Sequence, residues 1–335
     1  MNKMPRWSPS ISRVLVGCFV LVLSLAATLL VVRDGFAGST TALRPQATQS
    51  DASPKEIPLS AAKAVVLGLV EGVTEFLPIS STGHLLVAER LLDVGTQSDD
   101  AKKAADAYAV IIQLGAIAAV LLISWRRVVD VLQGLVGRSE TGRRLLINLL
   151  AAFVPAAAVG VLFDSVLEKH LLKPVPVAIA WIVGGVAILG LSRRLTASNT
   201  SGRLLDAMTT RHALIIGVAQ ALALWPGVSR SLVTIVAAIL LGFRVSDAVE
   251  FSFLLGLCTL SAAAGYSLLK DGSLVFDTFG TGTPLIGMLV AFVSAAVAVK
   301  WMVAYLNRRD LSIFGIYRVV VGVATLVLVA TNVLN

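Results

Sequence analysis

Six long apolar runs occupy most of the sequence after residue 100. Each can cross a bilayer as a helix, because about 20 residues rising about 1.5 Å each span the hydrocarbon core. The runs are 108–124, 145–163, 175–192, 249–268, 284–304 and 312–333. Only 14% of the residues are charged, whereas soluble domains carry about 25%. The sequence therefore predicts an all-α integral membrane protein and excludes a cytosolic enzyme or a nucleic-acid-binding protein.

The basic residues, which give a formal net charge of +8, are concentrated in alternate loops. Arginines cluster in 125–144, 193–211 and 305–311, whereas 164–174 and 269–283 are mixed or near neutral. Cytoplasmic loops of membrane proteins collect Lys and Arg. We therefore expect the basic loops inside and the others outside. The positive charge is explained by topology, and no nucleic-acid partner is expected.

The N-terminal region differs from the rest of the chain. A further apolar run, 14–32, follows three basic residues, and a small-x-small pattern comes directly after it. Residues 1–37 are therefore predicted to be a signal peptide or an uncleaved signal anchor. Residues 38–58 are rich in Ser, Thr, Ala, Gln and Pro, which is typical of a linker outside the membrane. Residues 59–335 form the predicted membrane domain.

Two stretches are apolar but interrupted by polar residues, Pro and Gly. They are 60–94 and 212–243, and each precedes three of the six runs. If each stretch enters the membrane and returns to the same side, the charge alternation of the loops is preserved. The chain then has two halves of opposite orientation, about 60–192 and 212–333. This predicts an inverted-topology repeat, each half a re-entrant helix pair followed by three transmembrane helices, with a site near the midplane.

The first interruption carries two carboxylates, Glu71 and Glu75, four residues apart. On a helix they share one face. In an apolar setting two carboxylates repel and lose hydration, unless a cation lies between them. They are therefore candidates for general acid/base chemistry or for binding a divalent metal. The alternative is a pair at the water interface of an ordinary helix.

Three hydroxyls and a histidine follow these carboxylates. Pro78 ends the first helix, so Ser80, Ser81 and Thr82 lie where a new helix begins, with His84 one turn further on. The hydroxyls could simply cap that helix. Alternatively, one is a nucleophile and the imidazole is its base or the acid for the leaving group.

The second interruption has the features of a phosphate site. Pro226 and Gly227 break the backbone, and a helix can start at Ser229. The free N–H groups of a helix start bind anions, and the Arg230 guanidinium matches phosphate oxygens. Ser229, Ser231 and Thr234 are further candidate phosphate ligands. An Arg paired with a Glu only for packing is the alternative.

Together the two interruptions predict phosphoryl transfer within the membrane. One interruption supplies acids, hydroxyls and an imidazole, and the other supplies a phosphate site. A transporter with an anion site near the midplane is the rival hypothesis.

The stretches 71–84 and 226–234 resemble the two signature motifs of the undecaprenyl-diphosphatase (bacitracin-resistance) family. The resemblance extends over about 60–333 and includes the segments 113–115, 250–256 and 317–318. Two residues depart from the family pattern: Leu232, where Gly is usual, and Cys258, where Pro is common. Neither replaces a reacting group, so they bear on loop shape. The N-terminal extension is also unusual.

The resemblance implies a phosphatase that removes the terminal phosphate of undecaprenyl diphosphate, recycles the cell-wall lipid carrier and confers bacitracin resistance. It implies a divalent cation, Mg or Ca, and a multi-pass protein of the bacterial inner membrane whose site faces the periplasm. It places Glu71, Glu75, Ser81, His84 and Arg230 in the active site, with Ser80, Thr82, Ser229, Ser231 and Thr234 nearby.

Several points stay open on the sequence alone. The nucleophile is Ser81, His84 or a water molecule, and we favour Ser81 because it follows the Pro78 break. A transporter or flippase for a phosphorylated lipid or another anion is the alternative function. Membrane lipids surround the protein, and the oligomeric state is open between a monomer and a homodimer.

Overall fold

A computed structural model describes residues 59–96 and 98–334. The predicted N-terminal segment and linker, 1–58, lie outside the described residues. The part of the chain that is described forms eleven α-helices: α1 Ala61–Thr74, α2 Ser81–Leu91, α3 Asp99–Ile123, α4 Trp125–Leu135, α5 Glu140–Leu171, α6 Pro174–Ser201, α7 Thr210–Gln220, α8 Arg230–Leu240, α9 Val245–Phe279, α10 Gly282–Leu306 and α11 Ser312–Ala330.

Six of these helices, α3, α5, α6, α9, α10 and α11, are long and apolar enough to span a membrane. They contain the six apolar runs of the sequence, so the predicted all-α membrane fold is confirmed. Large apolar side chains such as Val161 and Leu162 are strongly exposed on the outside. Such a surface suits lipid, and helices suit the bilayer because they satisfy their backbone groups internally.

Several helices continue beyond their apolar runs. Helix α5 extends to Leu171, α6 to Ser201 and α9 to Phe279. The predicted loops 164–174, 193–211 and 269–283 are therefore wrong over much of their length. Hydropathy marks the part of a helix that lies in lipid, whereas the helix itself continues until a terminating residue. Gly280, with φ of 68°, ends α9 in this way.

Helix α4 lies in a segment that the sequence predicted to be a basic loop. Its apolar residues recur at helical spacing, which was the available signal. Val128 and Val131 pack against the core, whereas Leu132 and Leu135 are exposed. A helix with basic residues and an uncovered apolar side is typical of the membrane interface.

The described helices follow the predicted order twice. The short pair α1 and α2 precedes three spans, and so does the short pair α7 and α8. Each pair packs across the halves, since α1 contacts α10 and α7 contacts α5. At the α1–α10 contact, a Cβ on Gly68 would overlap the Gly287 carbonyl, so only small residues allow this approach. These contacts agree with a repeat, and its inverted orientation stays a prediction.

Candidate active site

The chain between α1 and α2, residues 75–80, is the first break. Its backbone is not helical, so its buried carbonyls need donors from elsewhere. Four successive carbonyls each accept a hydrogen bond from a side chain: Leu77 from Ser231 Oγ at 2.8 Å, Pro78 from Arg318 Nη1 at 3.3 Å, Ile79 from Trp181 Nε1 at 2.7 Å and Ser80 from His84 Nδ1 at 2.6 Å. Four helices, α8, α11, α6 and α2, therefore fix the shape of this break.

The chain before α8, residues 225–229, is the second break. Gly227 has φ of 96°, a value that suits glycine. Ser229 caps α8, its hydroxyl accepting a hydrogen bond from Leu232 N at 3.3 Å. The two breaks also touch directly, because Gly227 N donates to Ser80 Oγ at 3.2 Å. The structure thus brings the two predicted interruptions together.

A buried line of three groups joins the breaks. The Ser81 hydroxyl donates to Glu75 Oε2. The other oxygen of that carboxylate, Oε1, accepts from Arg230 Nη2 at 3.3 Å. Arg230 also donates to the Ser252 carbonyl at 3.1 Å, and its guanidinium carbon lies 5.3 Å from the centre of the Phe76 ring. Serine, carboxylate and guanidinium therefore form one connected unit.

This unit lines a cavity of about 480 Å³. The polar lining residues are Glu75, Ser80, Ser81, Thr82, Gln113, Gln220, Ser229, Arg230, Thr259 and Tyr266. The remaining wall is apolar and comes mainly from α5, α9 and the segment before the second break. Small side chains of α5 and α9 line it, among them Ala156, Gly160 and Ala263. A ligand with a charged head and an apolar tail fits such a cavity.

One donor of the Arg230 guanidinium has no partner in the described residues. Its Nε is buried without a hydrogen-bond partner, while its two terminal nitrogens bond Glu75 and Ser252. A buried charged donor without a partner is costly.

Glu71 lies beneath the same unit. It is only 1% exposed, and neither carboxylate oxygen accepts a hydrogen bond. Glu75 and Gln113 are its polar neighbours. A buried carboxylate of this kind needs a cation or a proton, so Glu71 with Glu75 fits a hard divalent ion that prefers oxygen ligands. No group of three His, Cys, Asp or Glu side chains suited to a metal occurs in the described residues.

His84 faces away from Ser81. Its Nδ1 contacts the Ser80 carbonyl at 2.6 Å and its Nε2 contacts the Tyr317 hydroxyl at 2.8 Å. The ring stacks on Tyr317 and lies 4.6 Å from the Trp181 ring, measured between centroids. Both ring nitrogens of His84 therefore have partners other than Ser81. Glu75, which accepts the Ser81 hydroxyl, is the group in place to act as the base for Ser81.

The predicted phosphate ligands divide into two groups. Ser80, Thr82 and Ser229 line the cavity. Ser231 and Thr234 lie beneath it, almost fully buried. Ser231 bonds the first break, and Thr234 bonds Ser252 Oγ at 2.7 Å. Both hydroxyls therefore have hydrogen-bond partners within the protein. Their contact with phosphate stays a prediction.

Three residues that the sequence argument left without a role hold the site together: Trp181, Ser252 and Arg318. Arg318 had the clearest signal, because it is a lone charge within the apolar run 312–333 and intramembrane charges are rarely incidental. Trp181 and Ser252 carried no comparable pattern.

Fold and site together define a class: multi-pass α-helical membrane proteins with a polar site between two broken helix pairs. The family model described as bacitracin resistance protein BacA matches residues 64–324, and the chain belongs to this family.

Curated relatives cover the same region. The chain is 45% identical over 264 residues to undecaprenyl-diphosphatase 2 of Rhodospirillum rubrum, covering 79% of this chain and 93% of that protein. It is 42% identical to undecaprenyl-diphosphatase of Sorangium cellulosum over 78% of this chain and 84% of that protein. It is 41% identical to undecaprenyl-diphosphatase 1 of Paraburkholderia xenovorans, over 83% and 98% of the two chains.

Proposed function

We propose that this chain is an undecaprenyl-diphosphate phosphatase. It hydrolyses the lipid diphosphate to undecaprenyl phosphate and inorganic phosphate, which recycles the cell-wall lipid carrier and confers bacitracin resistance. Family membership and the names of the relatives support this activity. The observation that carries it is the Ser81–Glu75–Arg230 unit, which lines the cavity.

The lining of the cavity suits both parts of the substrate, the charged diphosphate and the apolar polyprenyl chain. The diphosphate binds where Arg230 and several hydroxyls line the cavity, and these groups donate to its oxygens. The polyprenyl chain lies along the apolar wall and leaves toward lipid between α5 and α9, where the lining residues are small. A soluble anion would leave this wall uncovered.

In the reaction, Ser81 Oγ attacks the terminal phosphorus while Glu75 takes the hydroxyl proton. The bond from that phosphorus to the bridging oxygen breaks, and undecaprenyl phosphate leaves with the proton from Glu75. Arg230 stabilises the charge that develops on the phosphoryl oxygens. Glu75 then takes a proton from water, whose oxygen attacks the phosphoserine, and inorganic phosphate leaves as Ser81 recovers its proton.

Glu71 and Glu75 are the proposed ligands of a divalent cation, Mg or Ca. Glu71 is buried without a hydrogen-bond partner, and oxygen ligands of this kind are those that a hard divalent cation prefers. A bound divalent cation supplies charge neutralisation for the diphosphate. Chelation with EDTA should abolish phosphate release, and Glu71→Gln should weaken the activation by Mg²⁺ or Ca²⁺ in a titration.

The proposed location is the bacterial inner membrane, with the site facing the periplasm. The basic segments around Arg126 and Arg308 then lie inside, and the segment before α3 lies outside. Single cysteines in these segments, in a background lacking Cys18 and Cys258, can be labelled with an impermeant thiol reagent in whole cells. Strong labelling at the basic segments would show that these segments lie outside and that the protein has the opposite orientation.

The activity itself is tested with purified protein in detergent, undecaprenyl diphosphate, a divalent cation and a measurement of released phosphate. Release by the wild-type protein and none by Ser81→Ala supports the phosphatase. If no phosphate is released, the same preparation in vesicles distinguishes the alternative, because a flippase or transporter would move the lipid or anion without hydrolysis.

A further inference from the structure

Arg318, in the middle of α11, is fully buried at 0% exposure. The structure shows no ion pair for it with any carboxylate of the described residues. Instead its two terminal nitrogens donate to three backbone carbonyls: Pro78 at 3.3 Å, Ala180 at 2.9 Å and Gly227 at 2.9 Å. Its Nε has no partner.

Placing a guanidinium inside a membrane helix is costly, so its acceptors indicate what it does. Pro78 lies in the first break and Gly227 in the second, while Ala180 lies in α6. One rigid planar group therefore spans both breaks and anchors them to a membrane-spanning helix. Helix α6 leaves room for it, because a Cβ on Gly184 would overlap Arg318 Nη2.

We propose that Arg318 is a positioning residue that fixes the spacing between the two breaks and thereby aligns Ser81 and Glu75 with Arg230. Pro78 lies between Glu75 and Ser81 in the chain, and Gly227 lies three residues before Arg230. A shift of either break moves one side of the reactive unit against the other. Arg318 does not line the cavity, so it acts through these groups and not on the substrate.

The proposal rests on the proposed function where its readout is phosphate release. Arg318→Met keeps much of the bulk but removes the donors, and kcat should fall about 100-fold, the usual effect of a misplacement near 1 Å. KM should change less than about threefold, because Arg230 still binds phosphate. Arg318→Lys should be intermediate, because an ammonium lacks the planar fork that reaches both breaks.

A matched control removes an arginine-to-carbonyl bond elsewhere. Arg90, near the end of α2, donates to the Leu334 carbonyl at 2.7 Å. Arg90→Met should leave kcat near the wild-type value. Gly184→Ala provides an independent perturbation, since it displaces the Arg318 guanidinium without removing it, and should lower kcat in the same direction as Arg318→Met.

A double-mutant cycle with Ser80→Ala separates positioning from general stability. Ser80 Oγ accepts the Gly227 N–H and so ties the same two breaks. If both groups set one spacing, their effects on kcat are coupled and do not add. Additive losses, or a kcat that falls only in proportion to the folded fraction, would overturn the proposal.

A readout independent of catalysis completes the test. Spin labels at Leu91 and Leu240, exposed positions on the helices that follow the two breaks, report the separation of those helices. The distance distribution should broaden in Arg318→Met and not in Arg90→Met. An unchanged distance distribution in Arg318→Met contradicts the positioning role. If the distribution broadens in Arg318→Met but the wild-type protein releases no phosphate, only the proposed function is contradicted.

Discussion

The two breaks have the same backbone conformation at their last residue but differ in the hydrogen bonds that this residue makes. Each ends at a serine with positive φ, 73° at Ser80 and 76° at Ser229, and each leads into a helix of 11 residues. Such a φ in a residue other than glycine costs about 1–3 kcal/mol and persists only where surrounding contacts enforce it. Both serines are buried in those contacts.

The difference lies in where the serine hydroxyl bonds. Ser229 caps its own helix through Leu232 N. Ser80 makes no side-chain cap in α2 and instead accepts the Gly227 N–H of the other break. In the proposed function, the reacting carboxylate lies in the first break and the reacting serine directly after it, whereas Arg230 directly follows the second break. The proposed function thus divides chemistry and anion binding between the two breaks.

The largest expected effect comes from the first break. Ser81→Ala removes the attacking hydroxyl and should lower kcat by about 10⁴-fold or more, whereas His84→Ala should be milder, because His84 bonds Ser80 and Tyr317 and not Ser81. Acid quenching of reactions with radiolabelled substrate should trap an acid-stable phosphoserine.

Label that is acid-labile and base-stable would instead assign the attack to His84. If no label is trapped and Ser81→Ala keeps substantial turnover, water is the nucleophile and the division between the breaks fails.

The second break should show the next largest effect. Arg230→Ala removes the proposed phosphate donor and leaves the buried Glu75 without its guanidinium partner. The value of kcat/KM should therefore fall by about 10²–10³-fold. Arg230→Lys should recover part of it, since Lys keeps the charge but loses the fork. Extraction yield and the melting temperature in the same detergent serve as controls. A fully active Arg230→Ala protein would remove the second break from the site.

The smallest effects should separate the two capping serines. Ser229→Ala loses a helix cap, which should cost about 1 kcal/mol of stability, and should raise KM if its hydroxyl meets phosphate. Ser80→Ala loosens the contact between the breaks and should lower kcat by about tenfold, with KM little changed. Melting curves and steady-state kinetics on both variants measure this. If both variants show the same changes in melting temperature, kcat and KM, the two serines have the same role.

Much of the site's composition could be predicted from the sequence. Glu71, Glu75, Ser81 and Arg230 were selected because charged and hydroxyl residues inside apolar runs are conspicuous, and Pro78 is a local signal for a break. The bonding pattern could not be predicted. Ser81 had two candidate bases close to it in the chain, Glu75 six residues before it and His84 three residues after it, and sequence alone does not decide between them.

The sequence by itself determined the six spans, the two breaks and the residues in them, because proline and glycine act on their immediate neighbours and hydropathy is read within a single span of about 20 residues. Only the tertiary structure decided which groups meet. Glu75 and Arg230 are 155 residues apart, Ser80 and Gly227 are 147 apart, and Pro78 and Arg318 are 240 apart. Buried carbonyls must find donors wherever packing brings them, so these pairings follow from how the halves pack and not from any local pattern.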